Sequence, residues 1–207
     1  MHRTLVLFMG EVMLLCEFLA RVFSAPPDAT FVGSCRHGVG AALLATFADD
    51  DDLRPEVQQM MDALGEPLAD DMMAGVLDRL YTTRLFSGVA GPETVSMFAS
   101  AHLEGRLFGD ATARMDATLA ELGMSVAADS HEPADHLAIQ LAVLCELLRR
   151  DDTTTAQRFA DKQMCNWVPM FANHCRSRDP GGFYAGAATL VDHITSAHAT
   201  ASRAEAA

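Results

Sequence analysis

The chain has 207 residues, half of them apolar and about a fifth charged, with a formal net charge of −13. That length supports a sizeable core, and the composition is that of a folded globular protein rather than a disordered one. The acidic balance argues against a nucleic-acid surface, which needs Lys and Arg to neutralise phosphates, and against docking on an anionic membrane.

The residue mix favours helix: Ala, Leu, Met, Arg, Glu and Gln recur, β-branched runs are scarce, and no period-2 alternation persists. The N-terminus superficially resembles a secretory signal, with Leu5 to Met9 as its apolar run and Phe23-Ser24-Ala25 as its cleavage site. However, Glu11, Glu17 and Arg21 interrupt that run, opposite Leu7, Leu14, Phe18 and Val22. The pattern predicts an amphipathic first helix over residues 4–24, stopped by Pro26-Pro27. No apolar stretch reaches the length of a membrane span.

Asp28 starts a second segment that Gly33, Gly38 and Gly40 weaken. The run Asp49 to Asp52 reads as a solvated break rather than a metal site, with Asp52 as the start of the next helix, which ends near Gly65. A helix over 70–86 carries Met72, Val76, Leu77, Leu80, Tyr81, Leu85 and Phe86 at helical spacing. Helices are expected over 93–104 and 110–122, then a polar connection over 127–132. Pro133 suits the first turn of a helix running to Arg150, a long helix follows over 153–176, and the last begins after Gly181-Gly182 and fades near His198. The expectation is an all-α fold of about eight or nine helices. It occupies residues 1–198, with a candidate hinge before Pro133 between a larger part (1–130) and a smaller one (131–198) and a frayed tail over 199–207.

Chemistry-bearing motifs are few. There is no Gly-x-Ser-x-Gly, no Walker-type phosphate loop and no His-Glu-x-x-His. The five cysteines are odd in number and lack a Cys-x-x-Cys pair, which disfavours a disulfide framework or a zinc site and suits a reducing cytoplasm. His131 and His136 do not share a helical face, and His174-Cys175 with Cys165 is a loose cluster, so no metal or other cofactor is expected. Trp167, the single tryptophan, reads as a packing element.

The most informative stretch is Glu132-Pro133-Ala134-Asp135-His136-Leu137, which sets a carboxylate beside an imidazole where a polar turn meets an apolar helix. Asp135 either charges the helix start, where carboxylates are favoured, or meets a ligand at the helix mouth. In the second case the pair would be part of a hydrolase triad lacking a marked nucleophile, or would recognise a cationic or amide-rich segment. A non-catalytic helical adaptor without a defined peptide site is the third alternative.

Three blocks together resemble the TorD/DmsD/NarJ family of molybdoenzyme maturation chaperones. They are Leu77-Asp78-Arg79-Leu80-Tyr81-Thr82-Thr83-Arg84-Leu85-Phe86, the Glu132 to Leu137 block, and Trp167-Val168-Pro169-Met170-Phe171 with Phe183-Tyr184 downstream. The second is the specific one. Gln140, where many relatives carry Glu, and Thr82 depart from the pattern. The resemblance implies an all-helical, non-catalytic cytoplasmic chaperone, a monomer or a domain-swapped dimer. Its partner would be the apo form of a molybdopterin oxidoreductase catalytic subunit, bound through an N-terminal leader that often carries a twin arginine and held for cofactor insertion before export. The implied peptide-binding residues are Arg84, Leu85, Phe86, Glu132, Pro133, Asp135 and His136, with Asp135 meeting basic or amide groups from an exposed position.

Overall fold

A computed structural model describes residues 9–85, 94–127 and 132–205. These contain eleven α-helices and no strands: α1 (Met9–Ser24), α2 (Ala29–His37), α3 (Val39–Ala48), α4 (Arg54–Leu64), α5 (Asp70–Arg79), α6 (Ala99–Glu104), α7 (Asp110–Glu121), α8 (Leu137–Arg149), α9 (Thr153–Phe159), α10 (Val168–Arg178) and α11 (Phe183–Glu205). Two π-helical segments, Leu80–Leu85 and Ala160–Met164, continue α5 and α9. The all-helical expectation holds, and the larger helix number has local causes.

The glycine-rich second segment is two helices. Asp28 caps the first by accepting the N–H of Phe31 at 2.7 Å, and Gly38 in extended backbone separates it from α3. Asp52 does not start α4. Leu53 holds the cap position and Pro55 lies in the first turn, while Asp50 accepts the N–H of Asp52 within the turn. The helix expected over 93–104 is only α6, because residues 94–97 are irregular and Phe98 is in extended backbone. The long helix over 153–176 is broken by the π-helical segment and by a turn, with Pro169 opening α10. α11 continues as helix to Glu205, past the expected fraying point.

Two close approaches bring the parts together. α1 lies antiparallel to α8, with Cys145 reaching the carbonyl of Met13, and α4 packs on α11. At the second crossing Gly186 lies so near α4 that an added methyl would sit 2.8 Å from the Glu56 carbonyl oxygen. Residues from both sides of the expected hinge form one hydrophobic core: Leu15, Leu19, Phe23 and Phe47 with Leu141, Leu144, Trp167 and Tyr184. Among the described residues no helix is long and apolar enough to cross a membrane.

Candidate functional site

α8 does not begin at Pro133. The Pro133-Ala134-Asp135 stretch is a turn closed by a hydrogen bond from the His136 N–H to the Pro133 carbonyl (3.0 Å), and His136 is the N-cap of α8. Its Nδ1 accepts the N–H of Ala138 at 3.2 Å, which replaces the Ser, Thr or Asp that usually serves there. Because Nδ1 accepts, the neutral ring carries its proton on Nε2 and is a donor there. Burial pulls His136 down to about pKa 4, although the neighbouring Asp135 acts in the opposite direction, so the ring is neutral near pH 7.

The turn is held by chain from far away. Residues 97–99 run antiparallel to 135–137: Leu137 N–H donates to the Met97 carbonyl (2.9 Å) and Ala99 N–H to the Asp135 carbonyl (3.3 Å). Phe98 packs edge-on against the His136 ring, with centroids 5.0 Å apart.

Asp135, expected at an exposed helix mouth, is fully buried. One oxygen accepts the N–H of Ser100 in the first turn of α6 at 2.8 Å, and the other accepts the Thr112 hydroxyl of α7 at 2.8 Å. A buried carboxylate needs such partners, and here they lie 35 and 23 residues away in sequence. Both carboxylate oxygens are therefore engaged inside the fold, and Asp135 is not at the exposed position expected above.

His136 itself faces a cleft of about 550 Å³. One wall is the end of α1 (Ala20, Arg21, Ser24), another is α8 (Ala138, Ile139, Ala142, Val143), and the third is Leu119 with the segment after α7, including Met124 and Val126. The lining is mainly apolar. Apart from Ser125 on the segment after α7, its polar groups, Arg21, Ser24, Glu132 and His136, gather at one end, where the C-terminus of α1 meets the N-terminus of α8. Arg21 lies over the Phe31 ring at 5.3 Å and 4.0 Å from Asp28. Glu132 is exposed at that end and Pro133 half-buried behind it.

Burial raises the Tyr81 phenol, with Glu132 adding to the rise and Arg21 opposing it, so the π-helical segment after α5 lies near these two charges. The side chains of Arg84 and Leu85, and Phe86 altogether, lie outside the described residues. Arg21 and the apolar floor were not singled out from the sequence. The signals for them were the amphipathic face of the first helix and the apolar helix after the turn.

The aromatic residues Tyr81, Trp167, Phe171 and Tyr184 of the other two sequence blocks are buried inside the fold. Tyr81 Oη donates to the Phe23 carbonyl (3.0 Å) and Tyr184 Oη to the Leu77 carbonyl (3.2 Å), and the two rings lie 5.9 Å apart. Trp167 is fully buried, as its reading as a packing element requires. Among the described residues no group of three or more His, Cys, Asp or Glu side chains is arranged to hold a metal ion.

Residues 50–173 match the nitrate reductase delta subunit family, more than half of the chain. The chaperone protein TorD of Shewanella loihica is 30% identical over 182 residues, covering 84% of this chain and 85% of that protein. The TorD chaperone of Vibrio vulnificus is 32% identical over 163 residues, covering 72% and 75%. This chain belongs to the TorD/NarJ family of redox-enzyme maturation chaperones. A solved chain described as a redox enzyme maturation protein from Archaeoglobus fulgidus shares the fold, with a TM-score of 0.57 at 18% identity over 93% of this chain and 98% of that one. The family's role is chaperoning of molybdoenzymes rather than catalysis, which removes the hydrolase reading of Asp135 and His136.

Proposed function

We propose that the cleft between α1, α8 and the segment after α7 binds the N-terminal leader of a molybdopterin oxidoreductase catalytic subunit, holding the apo-enzyme in the cytoplasm until its cofactor is inserted. The observation that carries this reading is the position of His136 and Glu132, from the block most specific to the family, at the polar end of an otherwise apolar cleft. Recognition of a peptide segment needs apolar anchors and a few polar directors, and the lining supplies both.

In this reading Ile139, Val143 and Leu119 take the hydrophobic part of the leader. Glu132 meets its basic residues, and the Nε2–H of His136 donates to a backbone carbonyl. Pro133 fixes the turn, and Asp135 acts from behind by fastening that turn to α6 and α7. Arg84, Leu85 and Phe86, which follow Tyr81 in the sequence, supply further contacts to the leader. The net charge of −13 favours approach of a basic leader, twin-arginine or otherwise.

The test is calorimetry of the full chain against leader peptides from the molybdopterin oxidoreductases of its host. Ala142 is exposed in the cleft wall. Ala142→Trp fills the space and is expected to weaken binding about tenfold or more, or about 1.4 kcal/mol and upward. The reading is overturned if no leader binds, or if Ala142→Trp binds as tightly as the unaltered chain.

A further inference from the structure

Trp167 stands behind the wall that carries His136 and touches it by two separate routes. On one side its Nε1–H donates to Gln140 Oε1 at 3.2 Å and also to the Gln163 carbonyl at 3.0 Å. The Gln140 amide then donates to the Asp135 carbonyl at 3.4 Å. On the other side the Trp167 ring packs against His102, centroids 5.3 Å apart, and His102 Nε2 bonds the Ser96 carbonyl at 2.8 Å. Since a carbonyl only accepts, that ring nitrogen carries a proton. Ser96 precedes Phe98, whose ring rests on His136.

The two extended stretches that meet at Phe98 and His136 are thus each tied back to one indole, 135–137 through Gln140 and 96–98 through His102. Trp167 and Gln140 are buried, and His102 is half-buried. A lone capping imidazole has rotational freedom about its side-chain torsions. An imidazole wedged between a pinned turn and a pinned aromatic ring does not. Groups held in place before a ligand arrives lose less entropy on binding it.

We propose that Trp167, Gln140 and His102 form a brace that holds the His136 ring in its cleft-facing geometry, making them positioning residues for the peptide contact. The brace itself consists of these hydrogen bonds and ring contacts. Its value for binding rests on the reading of the cleft given under Proposed function. A second consequence is optical: the single indole, hydrogen-bonded to the Gln140 amide that in turn donates to the Asp135 carbonyl, senses the arrangement of that turn.

Gln140→Met keeps the length of the side chain and removes both of its hydrogen bonds. His102→Phe keeps the stacked ring and removes the bond to Ser96. Each variant, first shown to be folded by circular dichroism, is compared with the unaltered protein by NMR of the His136 Cε1–Hε1 pair at pH 8, where that ring is neutral. The expected results are a displaced His136 signal and a shifted Trp167 emission maximum in the free Gln140→Met protein. A displaced His136 signal is also expected in His102→Phe. A His136 signal unchanged in both folded variants overturns the brace, and no ligand is needed to see it.

Leader-peptide titration of the same variants then separates the two ideas. A three- to tenfold weaker affinity alongside the displaced signal supports both. A displaced signal with unaltered affinity upholds the brace and removes His136 from the peptide contact.

Discussion

The carboxylate of Asp135 accepts the backbone N–H of Ser100 at 2.8 Å and so caps α6 from the turn that precedes α8. The first turn of a helix leaves N–H groups without intrahelical partners, and the usual remedy is a side chain from the residue just before it. Here the cap position of α6 is Phe98, which offers none, and the remedy comes from 35 residues downstream.

Asp135→Ala is accordingly expected to cost stability. It strands a buried N–H and deprives Thr112 of its acceptor, for a loss of about 2–4 kcal/mol. Urea denaturation measures this. Asp28→Ala, at the exposed cap of α2, is the comparison and should cost about 1 kcal/mol. Equal losses at the two positions would contradict the burial of Asp135.

Acid should destabilise the fold through His136. Its folded pKa, about 4, lies below its ordinary value of 6.5. Between those values the unfolded chain binds the proton and the folded chain does not, so stability rises with pH across that window. The contribution is complete above pH 6.5, declines as pH falls toward 4, and is spent below it. Its size is roughly 3 kcal/mol. Urea midpoints at several pH values between 4 and 7 should show the slope, and His136→Asn, which keeps a capping oxygen, should flatten it.

Gly186→Ala tests the crossing of α4 and α11. The added methyl would meet the Glu56 carbonyl oxygen at 2.8 Å and Met60 Cγ at 2.7 Å. Met60 is flexible but fully buried, and the helix backbone cannot yield, so the two helices must separate. A loss of about 1–3 kcal/mol in thermal or urea unfolding is expected.

Tyr81→Phe and Tyr184→Phe each remove a buried hydroxyl that donates to a carbonyl and leave the ring in place. Each should cost about 1 kcal/mol. Because the two rings adjoin, the double variant should depart from the sum of the singles by about 0.5 kcal/mol or more. A double-mutant cycle in urea reads the difference.

Helices with strong local punctuation were legible without coordinates. Asp28, Asp70, Gly65 and Gly181-Gly182 mark ends that the structure keeps within a few residues. Trp167 as a packing element was legible for a similar reason, since it lies within an apolar pattern. What escaped was decided across long separations. Residues 94–98 have a helix-compatible composition, yet Phe98 and its neighbours pair with 135–137 as extended chain. Asp135 looks like a local helix-start carboxylate until Ser100 and Thr112 arrive to bury it. Pro133 is compatible with a first helical turn and equally with the turn ahead of one, and His136 decides between them by taking the cap. In the cleft, the family block pointed to His136 and Glu132. Arg21 and the Ile139 floor share a surface only because α1 docks on α8.

That docking also shapes how the chain can acquire its structure. Cys145 of α8 reaches the carbonyl of Met13 across a separation of 132 residues. Part of the apolar stripe of α1 therefore stays uncovered until α8 has been synthesised. Long-range closures of this kind are slow and leave nascent chains prone to sticking. A member of a family of maturation chaperones thus passes through its own unsheltered interval during translation.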